Sequence, residues 1–195
     1  MTAPLASIRN CDGCTLCCKV FRVAALDKPQ GIWCPHCAIG RGCGIYDSRP
    51  TECAAFQCGY LVEPGLDDRW KPSESRLVLW SMGQVMFVHV DPQRPDAWRR
   101  EPYYSSIKQW AVEALAAGAQ VIVQIGSRAI VILPDRDVDL GIFAPDEIAV
   151  TTRVGTSGGV RYEALKLKRS DPRAANLVPA DLSMAAAGRS SAGAR

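Results

Sequence analysis

The stretch RNCDGCTLCCKVFRV (residues 9–23) places Cys11, Cys14, Cys17 and Cys18 within eight consecutive positions. A C-x2-C step lets two sulfurs turn toward one ion through a tight turn. Five more cysteines follow at Cys34, Cys37, Cys43, Cys53 and Cys58, and none after that. A disulfide scaffold calls for a secreted chain and an even count. Here the count is nine, and the opening MTAPLASIRNCDGC has no basic segment leading into an apolar one. The expected compartment is therefore the cytoplasm, where thiols stay reduced and clustered cysteines point to metal.

The full spacing is C-x2-C-x2-C-C, fifteen residues, then C-x2-C-x5-C-x9-C-x4-C. Tetrahedral zinc takes four thiolates at about 2.3 Å. Nine cysteines therefore fill two such sites with one left over. Overlapping C-x2-C-x2-C also supplies three ligands of an iron–sulfur cluster, with a distant fourth. Thiolate softness suits both. Cys34-Pro35-His36-Cys37 has the look of a zinc knuckle, and Cys11, Cys14 and Cys17 that of a cluster loop. Cys17 and Cys18, if extended, point opposite ways, so one serves a second centre or is a spare thiol. All nine cysteines are candidate metal ligands, and the cofactor is Zn2+ or an iron–sulfur cluster. Buried structural thiols are the plainer alternative, which nine in 48 positions with three C-x2-C steps makes poor.

CDGCTLCC followed by GCGIYDSRPTECAAFQC (residues 42–58) resembles the YkgJ family, the CxxCxxCC-type zinc- or iron-chelating domain, over about residues 8–62. The resemblance implies that Cys14, Cys17, Cys18, Cys43 and Cys53 match the family motif, with Cys11 as its opening position. Cys34, Cys37 and Cys58 fall in its more variable part. Some members resemble parts of a flagellin lysine methylase, which implies an iron–sulfur possibility. This chain shows no methyltransferase module, and that activity is not carried over. Within the second motif, Ile45 and Tyr46 are expected to pack as a satellite core and Pro50 to fix a turn. Arg49 is expected to bond backbone carbonyls or offset thiolate charge.

Outward from the cysteines, residues 11–60 have little aliphatic periodicity and are expected to need metal cross-links to fold, and the cysteine-rich domain is expected to span 8–62. KVFRVAAL (residues 19–26) alternates weakly, as a short strand would. Residues 61–75 read as a connector, with two prolines and mixed charge. RLVLW (residues 76–80) and QVMFVHVD (residues 84–91) are strand-like. Residues 103–117 predict a helix with Ile107, Trp110, Ala111, Ala114 and Leu115 on one stripe, ended by Gly118. QVIVQIGSRAIVILP predicts a hairpin over Gly126–Ser127, with Gly first in a II′ turn. Residues 146–154 and 160–168 predict a second hairpin across GTSGG. The fold class expected is α+β. It comprises a metal-stapled cysteine-rich region, a unit of about six strands and one main helix at residues 74–168, and a disordered tail at 170–195.

At 195 residues and 48 % hydrophobic, the composition is that of a globular protein. No apolar run reaches the roughly 18 residues of a membrane span. Of the net charge of +3, residues 166–195 carry an excess of four positive charges and the rest −1. A near-neutral body speaks against nucleic acid. His36 is expected to be an exposed loop residue and His89 a satisfied structural one. Asp91 and Asp96 read as turn formers, TSGG (residues 156–159) as a hairpin turn, and Trp98 with Arg99 and Arg100 as a loop packed on the following helix. No catalytic residue stands out, and whether the chain is an enzyme stays open. Three functions compete: a metal-binding protein, an iron–sulfur electron-transfer or accessory component of a protein-modifying system, and a zinc-ribbon-like module for nucleic acid or protein partners, of which the near-neutral body counts against nucleic acid. Residues 74–168 are the expected surface for any protein partner.

Overall fold

The computed structural model describes residues 9–156 and 159–175. The fold is α+β, and its two halves are built on different principles. In the cysteine-rich half the elements are minimal: α1 (Cys17–Val20), β1 (Cys37–Ala38), β2 (Gly42–Cys43), α2 (Thr51–Ala55) and α3 (Gly59–Val62). Such pieces lack the length to be stable alone. They are joined by turns and by long-range backbone bonds, such as Cys34 N–H to the Cys18 carbonyl (3.0 Å) and Gly31 N–H to the Lys19 carbonyl (3.0 Å).

The second half is a five-stranded sheet in the order β3 (Leu77–Met82), β4 (Val85–Val90), β5 (Gln120–Ile125), β6 (Arg128–Ile132), β7 (Asp137–Ile142). Neighbours are antiparallel except β4 and β5, which are parallel. A parallel pair needs a crossover, and α5 (Tyr103–Ala116) supplies it. The strands alternate strictly. Leu77, Leu79, Val88, Val90, Val121, Val123, Ile130 and Ile132 face the α5 side, where Ile107, Ala111, Trp70 and Trp98 complete one core. Phe87, Ile122, Ala129 and Val131 face the other way, against Phe143 and the long hairpin β8 (Glu147–Thr156) and β9 (Gly159–Lys168).

The cysteine-rich half straddles the edge strand β3. On one side Leu16, Val20 and Phe21 pack against Val78. On the other, α3 sits on Leu79 so closely that a Cβ at Gly59 would lie 2.9 Å from the Leu79 Cβ and 3.1 Å from its carbonyl oxygen. The edge of the sheet is thereby covered. A buried ion pair fixes the junction. Lys19 Nζ lies 2.5 Å from Asp91 Oδ1, and the side chains are 3 % and 4 % exposed. Asp91 Oδ1 also accepts from Gln93 N–H (3.0 Å), so the expected turn former doubles as the partner of α1.

Several expectations are corrected. KVFRVAAL is not a strand: it runs from α1 through an isolated bridge at Val23 into a 3-10 turn, Ala24–Leu26. Residues 61–75 are not a plain connector. They form a 3-10 turn (Asp68–Trp70), with the Asp67 side chain accepting from Arg69 N–H, and α4 (Pro72–Ser75), and they bury Leu66 and Trp70. Strand β7 (DVDLGI) was not foreseen, because its aspartates and glycine are poor strand formers and it is half-exposed at the sheet edge. Among the described residues the unit at 74–168 thus has seven strands, against the roughly six expected. The helix and both hairpins stand where expected, with Gly118 (φ 72°) ending the helix and Gly126 (φ 58°) opening its turn. The expected tail begins with a helical turn, α6 (Pro172–Ala175), that buries Ala174 beside Ile148, Val150 and Leu167. The rest of that tail, and the middle of GTSGG, lie outside the described residues. No helix among the described residues is long and apolar enough to cross a membrane.

Candidate metal centre

The first turn is closed by Cys14 N–H donating to the Cys11 carbonyl (2.8 Å). Gly13 supplies the left-handed backbone the turn requires (φ 69°). Arg9 carries this turn toward Cys58, because its guanidinium donates to the carbonyls of Tyr60 (2.9 Å) and Glu63 (2.6 Å) and also to that of Leu66. Tyr60 and Glu63 belong to the last turn and C-cap of α3, whose N-cap is Cys58, and Leu66 closes the turn that follows it. Cys17 and Cys18 open α1, whose apolar face is spent on the sheet. Contrary to the extended-chain expectation, this adjacent pair is helical; both line the same space, and their thiols are hydrogen-bonded. Cys37 N–H donates to the Cys34 carbonyl (3.0 Å), and Cys37 stands opposite Cys43 in the small ladder of β1 and β2. Pro50 starts α2 and its carbonyl accepts from Cys53 N–H (2.9 Å), the turn expected of it.

The result is one cavity of about 200 Å³ whose wall holds Cys11, Cys14, Cys17, Cys18, Cys34, Cys43, Cys53 and Cys58. Cys37 stands behind this wall, hydrogen-bonded to the Cys18 thiol and to Thr15. None of the nine is in a disulfide. The donor set fits zinc or iron–sulfur chemistry. The thiols surround a space rather than a point. Among the described residues, no group of three or more His, Cys, Asp or Glu side chains stands ready to hold an ion. A single water needs about 10–15 Å³ of such space, so the chamber is far roomier than one ion requires.

Five of the thiols are held above the ordinary thiol range. Burial pushes Cys58 up to about 11, with the charges of Cys14 and Cys11 adding to it. Burial also pushes Cys37 up to about 11, with Cys18 next. Cys18 is driven well above the ordinary thiol range by its hydrogen bond to Cys17, then by burial. Cys11 and Cys53 are raised too, burial leading in each. Metal binding here must therefore displace protons.

Cations attend the cavity. Arg22 and Arg49 line it. Arg49 donates to the Tyr46 carbonyl (3.2 Å), as its motif role suggested, and stacks on the Tyr46 ring (3.8 Å). Tyr46 is 60 % exposed, so it holds Arg49 rather than packing in a satellite core with Ile45. Lys28 is buried and its Nζ donates to the carbonyls of Lys19 (2.8 Å) and Phe21. Burial lowers its pKa, while Cys34, Cys18, Cys17 and Cys53 pull it back up. Lys28, Thr15 and the cavity-lining Glu52 escaped the sequence reading, since nothing in spacing marks a residue that arrives by tertiary folding. His36 is exposed and off the cavity wall, as expected.

His89 differs from its expectation. It is 2 % exposed among Phe21, Trp80 and Phe87, and neither ring nitrogen has a hydrogen-bond partner. Trp98 is buried against Tyr104 with Arg99 over its ring, as the loop reading had it. What the fold and site define is an α+β protein with a thiol-lined chamber on the edge of its sheet. Comparison with protein-family models, curated proteins and solved structures finds no significant match.

Proposed function

We propose that this chain is a metal-binding protein of the CxxCxxCC zinc- or iron-chelating type that its sequence resembles, holding zinc or an iron–sulfur group through its clustered cysteines. The observation that carries the reading is the convergence of eight cysteines on one cavity wall, from five short elements and their turns, with no disulfide among them. Such convergence concentrates soft donors on partly buried side chains. Arg22, Arg49 and Lys28 offset the negative charge of thiolate centres. A bound group would supply either a rigid cross-link or an electron-transfer centre; the chain supplies the thiols, the proton release and the compensating cations. The roominess of the chamber favours the second use, as an electron-transfer or accessory component of a protein-modifying system. The cytoplasm is the compartment that keeps these thiols reduced, and the sheet at residues 74–168 is the surface offered to a protein partner.

The test is anaerobic purification with a visible absorption spectrum and elemental analysis for iron, sulfide and zinc. A broad absorption in the region of 400 nm with matching iron and sulfide supports the cluster reading, and a colourless zinc protein supports the structural one. A folded, fully reduced chain that takes up no thiolate-binding metal refutes both.

A further inference from the structure

The nine thiols do not form one undivided set. Cys11 and Cys14 share one turn, and Arg9 ties that turn to the end of α3, at whose start Cys58 stands. The strongest thiol neighbours of Cys58 are Cys14 and Cys11, and that of Cys11 is Cys14. Cys17 packs on the same apolar cluster as Cys58, around Leu16 and Phe21. On the other side, Cys34 hangs from the Cys18 carbonyl, Cys37 from the Cys34 carbonyl, and Cys43 faces Cys37 across the ladder. The strongest thiol neighbours of Cys53 are Cys18, Cys34 and Cys43. Of the cations, Lys71 and Arg49 stand near Cys11, whereas Lys28 faces Cys34, Cys18 and Cys53 and also Cys17, at the seam between the two groups.

Building on the metal-binding reading, we propose that the chamber holds two thiolate centres side by side, with Cys11, Cys14, Cys17 and Cys58 binding one and four of Cys18, Cys34, Cys37, Cys43 and Cys53 binding the other. The adjacent pair Cys17 and Cys18 is divided between them. Each set offers a full tetrahedral donor complement, and the second has one thiol to spare. Closing either set takes rotation of the cysteine side chains together with movement of the turns that carry them, since no group of three or more ligands stands ready among the described residues. Thiols that now hydrogen-bond one another, Cys18 with Cys17 and with Cys37, then exchange their protons for metal.

The test uses the full chain, stripped of metal under reductant and titrated with Cd2+. Thiolate-to-metal absorbance and bound cadmium are read together. The expected result is two ions per chain in the parent, one in Cys58→Ser, and one in the double variant Cys34→Ser/Cys43→Ser. Far-ultraviolet circular dichroism checks that the sheet persists in each. Saturation of the parent at one ion, or at three or more, overturns the partition, as does loss of both ions in a folded Cys58→Ser chain. The parent stoichiometry stands as a test even if a variant fails to fold. Failure to bind any cadmium refutes the metal-binding reading itself, whereas a single ion refutes only the division into two.

Discussion

Acid should unfold this protein through His89. The imidazole is enclosed by Phe21 (centroids 4.6 Å apart), Phe87 (5.8 Å) and Trp80 (6.1 Å), and neither nitrogen has a partner among the described residues. Burial lowers its pKa to about 3 from an ordinary 6.5. The folded state keeps the ring neutral while the unfolded chain protonates it below about pH 6.5, so the unfolded state binds more protons there. The contribution of His89 to stability is therefore whole above that pH and is lost progressively as the pH falls toward 3. At 1.36 kcal/mol per pH unit, about 2 kcal/mol is lost by pH 5, a large share of an ordinary domain's margin. The assay is urea unfolding, followed by tryptophan fluorescence, of the parent and His89→Leu at pH 7.5 and pH 5, with metal removed from both. The difference between the two chains isolates His89 from every carboxylate and thiol they share. It should move by about 2 kcal/mol in favour of the leucine variant on acidification. A difference that does not change with pH refutes the reasoning, and would mean that the ring is hydrated or partnered in solution.

Three further outcomes are expected. Asp91→Ala leaves Lys19 with Gln93 Oε1 (2.8 Å) but no counter-charge in a dry site and should cost about 3 kcal/mol by denaturant unfolding, whereas the double change Lys19→Met/Asp91→Leu should recover most of it. Gly59→Ala forces α3 off Leu79 and should cost about 1–3 kcal/mol, the usual range for overpacking. It should also weaken Cd2+ uptake at the Cys58 side, since Cys58 is the adjoining residue. Deleting residues 172–195 should lower the stability by about 1 kcal/mol relative to deleting 176–195, because Ala174 loses its seat on Ile148 and Leu167. Thermal unfolding of the two truncations checks this.

The sheet half was legible because its signals are local. Alternation in QVMFVHVD and QVIVQI, a helical stripe ending at a left-handed glycine, and a Gly-Ser turn each fix an element within ten or so residues. Strand β7 was missed because its pairing with β6, not its own composition, makes it a strand. The thiols were legible as a set by spacing alone. Their arrangement was not, because it depends on contacts distant in sequence: Arg9 reaching the end of α3, Cys34 bonding Cys18, Lys28 folding back on Lys19 and Phe21. The assumption that Cys17 and Cys18 are extended failed for a local reason. Leu16 and Val20 are four apart and both buried against β3, a helical spacing that outweighs the alternation in KVFRV.

That burial also changes what metal is needed for. A cysteine-rich region with no core of its own depends wholly on metal cross-links. Here the region borrows a core: Leu16, Val20 and Phe21 lie on Val78, Tyr60 and Leu66 join the main cluster, and Lys19 is locked to Asp91. The first and last cysteines of the motif, Cys11 and Cys58, are tied through Arg9 and Gly59 to elements packed on the sheet. The chamber wall can then persist while the thiols are still protonated, and metal uptake becomes closure of a standing cavity rather than folding of the whole region. Loading should therefore move the thiols and the turns at residues 11–18 and 34–43 far more than it moves β3 and β4. Hydrogen exchange on the stripped and cadmium-loaded chain tests this: protection should rise in those turns and stay level in β3 and β4. Exchange that collapses across β3 on stripping would show that metal, not the shared core, holds the two halves together.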